Sequence, residues 1–352
     1  MPHLLAGDLD HVLEHTAGVW PELRGASIFI TGGTGFVGTW LLESLVWAND
    51  RLALDVNATV ITRSLEAFAN KAPHLAAHRS LQFIKADAVS FPFPDGEYPL
   101  IIHAATERYF EPSIEQPLST FDRDIAATRH VLEFARTHGA RRVLFTSSGA
   151  IYGKQPPLLT HIPEDYAGAP STMDLLSPYG QAKRISEWMC AMYASQFGFV
   201  SLIARLFAFV GPHLALDSNF AVGNFVCDAM QGGPIRIGGD GTPYRSYLYA
   251  ADLAIWLWTI LVKGESNRPY NVGSAEEITI ADLARTVENN TKPGVGMEIA
   301  RQPVPGALPA RYVPDVKRAE LELGLRPLIG LAEGIRRTFE WHLANGTLVP
   351  RK

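Results

Sequence analysis

Cysteine is nearly missing: the 352 residues hold two, Cys190 and Cys227. Neither stands in a CxxC or metal-ligand spacing, which excludes a disulfide framework and a cysteine-bound metal. Two buried thiols in a reducing compartment are expected, and no metal. Long apolar runs are missing too; the longest, Leu253 to Val262, is about half of what a bilayer span needs. The first residues carry Asp8 and Asp10 where a secretory leader would carry positive charge and an apolar core. The expectation is a cytoplasmic protein without a membrane partner. No basic stretch occurs, and 31 Lys+Arg against 36 Asp+Glu leave a formal net charge of -5, which disfavours a nucleic-acid partner. Low-complexity tracts and short repeats are absent. What remains, 47% hydrophobic and 19% charged residues, is the composition of a globular chain. Its length suits one large α/β unit, or a main domain with a smaller lobe.

The most informative stretch is Ile28-Phe29-Ile30-Thr31-Gly32-Gly33-Thr34-Gly35-Phe36-Val37-Gly38. A β-branched apolar run reads as a buried parallel strand, and residues 39–46 have helical apolar spacing. Strand, glycine turn and helix in that order form the context of a dinucleotide fingerprint. Gly32 allows the tight turn, Gly35 the approach of a pyrophosphate to the N–H groups around Phe36 and Val37, and Gly38 close helix packing. The second strand exits through Thr62-Arg63-Ser64 with no acid before Glu66. An acid there would hold a ribose diol, whereas Arg63 suits a 2′-phosphate. NADP is therefore expected, with NAD as the alternative. Asp87, after the third strand, is placed to meet the adenine. The fourth strand ends in His103-Ala104-Ala105-Thr106, small enough to let the cofactor pass, with Glu107 and Arg108 edging the pocket. His103 reads as a hydrogen-bonded core residue rather than a base.

The fifth strand, Arg142 to Thr146, leads into Ser147-Ser148-Gly149-Ala150-Ile151-Tyr152-Gly153, where open α/β sheets place ligands. Tyr179 and Lys183 then share one face of a helix, one turn apart. Further on, a strand reaches Gly211-Pro212, a helix is expected from Phe220 to Met230, and Asp252 reads as the cap of a helix over Leu253 to Val262. Tyr270-Asn271-Val272-Gly273 is a last strand, and helices follow over 280–288 and 331–343. The first 24 residues suggest a short helical brace, capped near Gly7-Asp8.

Taken in order, the glycine loop, His103-Ala104-Ala105, Ser147 to Gly153, the Tyr179/Lys183 pair, Arg205 through Gly211-Pro212, Arg245 and Tyr270 to Gly273 resemble the extended short-chain dehydrogenases. Within these, the chain is similar to the NAD-dependent epimerase/dehydratase family acting on nucleotide sugars, from Gly25 to about Trp341. The resemblance implies a Rossmann-type doubly wound parallel sheet over 25–213 and 241–275, with a substrate lobe over 214–240 and 276–347. It implies Ser148, Tyr179 and Lys183 as the catalytic set, with Lys183 also bonding the nicotinamide ribose. Arg245 would hold the substrate diphosphate, with Glu107 and Asn219 also on the substrate. It further implies a homodimer through the tyrosine-bearing helix and its neighbour, with Trp188, Met189 and Met192 belonging either to that interface or to the core.

A phenol ionises near pH 10, so acid/base work near neutrality needs a paired cation, which Lys183 supplies. Gly149 and Ala150 occupy the places where 4,6-dehydratases of this family carry an acid and a base. The expected enzyme is therefore a nucleotide-sugar 4-ketoreductase, with an epimerase recycling its cofactor as the alternative and dehydration excluded. A dinucleotide-sensing protein without turnover is the more distant alternative.

Overall fold

The computed structural model describes residues 3–106, 116–216 and 220–347. Its centre is a seven-stranded sheet of β1 (Ser27–Thr31), β2 (Asn57–Thr62), β3 (Leu81–Lys85), β4 (Leu100–His103), β5 (Arg142–Ser148), β6 (Val200–Leu206) and β11 (Pro269–Val272). The spatial order is β3-β2-β1-β4-β5-β6-β11, and every neighbouring pair is parallel. Successive side chains of a strand point to opposite faces, and here both faces are covered, so the strands read as continuous apolar runs. Ile28 and Ile30 enter one core with Trp40, Leu41, Leu45 and Trp256. Phe29 enters the other with Val131, Phe134 and Met189, its ring 4.3 Å from that of Phe134. This is a Rossmann-type doubly wound α/β fold. The strand order reverses between β1 and β4, which opens a crevice at their carboxyl ends.

Among the described residues the α-helices are α1 (Ala6–His15), α2 (Phe36–Leu52), α3 (Leu65–Lys71), α4 (Pro73–Ala76), α5 (Pro117–Thr137), α6 (Pro178–Phe197), α7 (Ala221–Gln231), α8 (Ala250–Lys263), α9 (Ile280–Asn290), α10 (Lys317–Leu323) and α11 (Leu331–Ala344). Two capping expectations are corrected. Tyr249 caps α8, and Asp252 lies inside its first turn, accepting from the N–H groups of Leu328 (2.8 Å) and Ile329 (2.9 Å). Leu5 caps α1, and Asp8 is inside it, accepting from the Tyr249 hydroxyl at 2.6 Å and pairing with Arg337. Both carboxylates thus tie distant segments together rather than their own helix ends.

Past β6 the chain adds short strands and helices, among them the parallel pair β7 (Phe209–Val210) and β10 (Leu248–Tyr249). The parallel pair β8 (Ile235–Ile237) and β13 (Met297–Ile299) lies with α7, α9 and α11. A second small sheet sets β9 (Tyr244–Arg245) between β12 (Ile278–Thr279) and β14 (Arg311–Tyr312). Cys190 and Cys227 are buried thiols, not joined in a disulfide, as expected. Among the described residues, no helix is long and apolar enough to cross a membrane.

Candidate functional site

The crevice is built by glycines that packing leaves no choice about, and by one that it does. Gly32 has φ 73°, and a Cβ on it would lie 2.4 Å from the Ala104 carbonyl. A Cβ on Gly38 would lie 2.2 Å from the Gly32 oxygen. Gly33, which the sequence reading did not single out, would put a Cβ 2.6 Å from Val60. At Gly35 a Cβ would meet only the Gly32 oxygen, at 3.4 Å, so the protein itself barely restricts that position. Gly35 is the N-cap of α2 and no side chain caps the helix. The first-turn N–H groups, those of Phe36, Val37 and Gly38 among them, therefore lie at the crevice without a side-chain cap, an arrangement that can hold an anion.

Around the crevice, Arg63 is exposed at the exit of β2. The Ser64 hydroxyl beside it is engaged, accepting from Ala67 N at 3.2 Å as the cap of α3. Asp87 pairs with Arg123 at 2.6 Å. Burial pushes its carboxyl up, but Arg123, the Val89 N–H and Arg63 together hold it below the ordinary carboxylate range. Ala104 and Ala105 are half-buried, and the Thr106 hydroxyl donates to Asp124 at 3.3 Å. His103 is core, as expected: Nδ1 meets the Thr31 hydroxyl at 2.7 Å and Nε2 that of Thr128 at 3.2 Å. Burial, then the charge of Lys183, pushes its pKa down to about 3.

Ser148 closes β5, its Oγ accepting from Ala150 N at 3.1 Å. A tight turn over Gly149–Tyr152 follows. The first turn of α6 lies directly on it, because Gly180 has no Cβ; one would sit 2.7 Å from the Ala150 oxygen. That close approach brings half-buried Tyr179 to the strand end that carries Ser148. Lys183 is buried, with Nζ 5.7 Å from the centre of the Tyr179 ring and 4.7 Å from that of Phe145. It donates to the Thr146 carbonyl at 3.0 Å, which pins α6 to β5. Burial pushes the ammonium pKa down, and the charges of Asp124 and Glu187 oppose it.

Several other residues of the ordered set support the site from behind. Arg205 holds Glu187 at 2.8 Å and donates to Tyr152 Oη (2.8 Å) and the Glu164 carbonyl (2.8 Å). Ser147 donates to Glu187, and Tyr152 to Asn271 Oδ1 at 2.8 Å. Burial pushes the Tyr152 phenol up to about 12, against the pull of Arg205, so it stays a neutral donor. Of the expected interface residues, Met189 is buried core, while Trp188 and Met192 are exposed on α6.

Sequence reasoning missed Tyr312. Its ring lies 4.7 Å from that of Phe207, and a Cβ on Gly149 would fall 2.6 Å from its hydroxyl. Gly149 is therefore small because a phenol from far along the chain fills the space beside it. In register across β9 and β14, Tyr312 pairs with Arg245, whose guanidinium is half-buried and donates to the Tyr244 carbonyl at 2.8 Å. Glu107, with Arg108, and Asn219 lie outside the described residues.

A family model described as NAD dependent epimerase/dehydratase family matches residues 28–273. The chain is 30% identical over 318 residues to UDP-glucuronic acid decarboxylase 3 of Arabidopsis thaliana, covering 90% of this chain and 87% of that protein. It is 29% identical over 332 residues to UDP-glucuronic acid decarboxylase 1 of Xenopus tropicalis, covering 92% and 75%. The fold matches UDP-glucuronic acid 4-epimerase of Bacillus cereus, solved with UDP-glucuronic acid and NAD, with a TM-score of 0.76, 22% identity and coverage of 91% and 99%.

These relatives correct the expected enzyme class, a ketoreductase or epimerase with dehydration excluded. The curated relatives are decarboxylases, which group with dehydratase-type enzymes. The physical reason is local: two small side chains at 149 and 150 do not fix the chemistry when other segments, Tyr312 among them, supply groups to the same space. Matched along most of its length from the glycine loop to the last strand of the sheet, the chain belongs to the NAD dependent epimerase/dehydratase family.

Proposed function

We propose that this chain oxidises or reduces a carbon of a nucleotide-linked sugar, with Tyr179 carrying the proton. The observation that carries this reading is the buried Lys183 ammonium 5.7 Å from the Tyr179 ring, at the strand end holding Ser148. Gly32, Gly35, Phe36, Val37 and Gly38 hold the pyrophosphate of the dinucleotide, with Asp87, Ala104, Ala105 and Thr106 along its path. When bound, the nicotinamide accepts or returns a hydride. The sugar O–H proton passes to Tyr179 Oη as the carbonyl forms, and returns as it is reduced. Lys183 stabilises the phenolate, and Ser148 donates to the oxygen on which charge changes. Residues 214–240 and 276–347 form the lobe that grips the substrate, with Arg245 on its diphosphate. A homodimer forms through α6, where Ile185, Trp188 and Met192 make an exposed stripe at helical spacing.

The substrate to offer first is a UDP-linked hexuronic acid, because UDP-glucuronic acid stands in the names of the relatives above. Oxidation at C4 places a carbonyl β to the C6 carboxylate, from which CO2 can leave, so one first step serves decarboxylation and epimerisation alike. Net reduction of a 4-keto nucleotide sugar is the second reading, favoured by Arg63 through NADP. Mass spectrometry of the enzyme incubated with UDP-glucuronic acid and NAD decides. A UDP-pentose or a C4 epimer supports the first reading, and NADPH consumption matched to product from a 4-keto substrate supports the second. No conversion of either substrate class with either cofactor refutes the proposal. For the cofactor, Arg63→Ala should weaken NADP more than NAD by about 1.5–3 kcal/mol, the size of a hydrogen bond to a charged group. Equal losses in a binding titration would remove Arg63 from the 2′-phosphate.

A further inference from the structure

A cluster of metal-ligating side chains lies away from this site. His3 precedes α1, Glu43 lies on α2 and His74 on α4, and their ligating atoms are all within 4.8 Å of one another. His74 Nε2 is 3.0 Å from Glu43 Oε2, His3 Nε2 is 3.4 Å from the same oxygen, and the two imidazole Nε2 atoms are 3.3 Å apart. Zinc binds His nitrogen and carboxylate oxygen at about 2.0–2.2 Å in a tetrahedron, whose edges are then about 3.3 Å. The three separations are those of one tetrahedral face.

A second observation is independent of that triangle. His213 is 8% exposed and sits at φ 68°, a conformation that side-chain-bearing residues rarely adopt. Its ring, held between Trp341 (4.6 Å) and Trp40 (6.5 Å), is aimed at the cluster, with Nε2 3.3 Å from Glu43 Oε1. Neither of its ring nitrogens makes a hydrogen bond of good geometry. An imidazole 3.3 Å from the second carboxylate oxygen, closing to a hydrogen bond when the ion binds, would be the outer group that orients a metal-ligating carboxylate.

We propose that His3, Glu43 and His74 bind a late first-row divalent cation, zinc first, oriented by His213, as a staple that fixes the N-terminal segment and α4 to the helix of the glycine loop. Imidazole and carboxylate together suit zinc and its neighbours better than magnesium or calcium. His3 and His74 are partly exposed, which gives the ion an entry path and leaves room for water as the fourth ligand. One contact opposes the site: His3 Nδ1 accepts from Leu5 N at 3.2 Å, whereas an Nε2-ligating neutral imidazole carries its proton on Nδ1. That one backbone hydrogen bond is given up on binding, and bonds to the ion take its place. The staple also reaches the cofactor loop, because Lys71, just before α4, donates to the Thr34 carbonyl (3.4 Å) and the Thr39 hydroxyl (3.1 Å).

The test uses untagged full-length protein, stripped with a chelator and titrated with Zn²⁺ by calorimetry, with melting followed in parallel. One equivalent should bind and raise the melting temperature. His3→Ala and His74→Ala, both at accessible positions, should each weaken binding by at least about tenfold, and His213→Asn by about 10–100-fold. His15→Ala, on the exposed face of α1, should change nothing. Absence of saturable binding at one equivalent, or binding that survives both His3→Ala and His74→Ala, overturns the site.

Discussion

Replacing Lys183 by Met removes one buried charge and leaves a side chain of similar length. With Nζ 5.7 Å from the Tyr179 ring, the ammonium favours the phenolate by about 3 kcal/mol at an effective dielectric of 20. That is about two pH units on the basic group and about a hundredfold in rate near neutrality. The substitution also removes the bond to the Thr146 carbonyl, now at 3.0 Å, and the buried cation near Asp124, while Glu187 keeps its pair with Arg205 at 2.8 Å. A loss of stability of about 1–3 kcal/mol should accompany the loss of rate. The two effects separate in one experiment. Turnover is measured against pH at saturating cofactor, and melting is followed on the same samples. The acid limb of the rate profile, set by the ionisation of Tyr179, should move up by about two pH units, so that alkaline buffer partly restores the variant. Turnover within threefold of the wild type with an unmoved limb would refute the electrostatic role of Lys183, whatever the melting temperature does.

Gly149→Ala should destabilise the chain by about 1–3 kcal/mol through overpacking, because its Cβ would fall 2.6 Å from the Tyr312 hydroxyl and 2.8 Å from the Phe207 ring. Denaturant melts of this variant and of its combination with Tyr312→Phe check the cause; equal losses in both would show that the phenol oxygen does not set the limit. Stability should also fall in acid through His103, whose folded pKa is pushed down to about 3 while the unfolded imidazole titrates at 6.5. The unfolded state binds more protons between those values, so this contribution is full above 6.5 and shrinks towards 3, at most by about 1.4 kcal/mol per pH unit. Melting from pH 7 to 4 should show a shallower acid limb in His103→Gln, and identical slopes would refute it.

The parts of the site legible in the sequence are those whose signal is local. The glycine loop is contiguous, and its strand and helix follow from apolar periodicity that both cores then use. Tyr179 and Lys183 are one turn apart on one helix, so spacing alone puts them together. The illegible parts are assembled from distant segments. Tyr312 reaches Gly149 through a three-stranded sheet of two-residue strands, too short to leave a period. Asp252 and Asp8 resemble caps because they stand near helix starts, yet each bonds a segment far away in sequence. The imidazoles at 3, 74 and 213 come from segments far apart in sequence and meet only at Glu43 of α2.

The central claim is that Tyr179 is the proton carrier of a sugar-directed oxidoreductase, and Tyr179→Phe tests it most directly. The ring is retained and only the phenol oxygen is lost. Turnover of the nucleotide sugar that the wild type converts should fall by about 10²–10⁴-fold, while dinucleotide affinity, measured by fluorescence titration, should stay within about threefold. Turnover of the Phe variant close to that of the wild type would contradict the account.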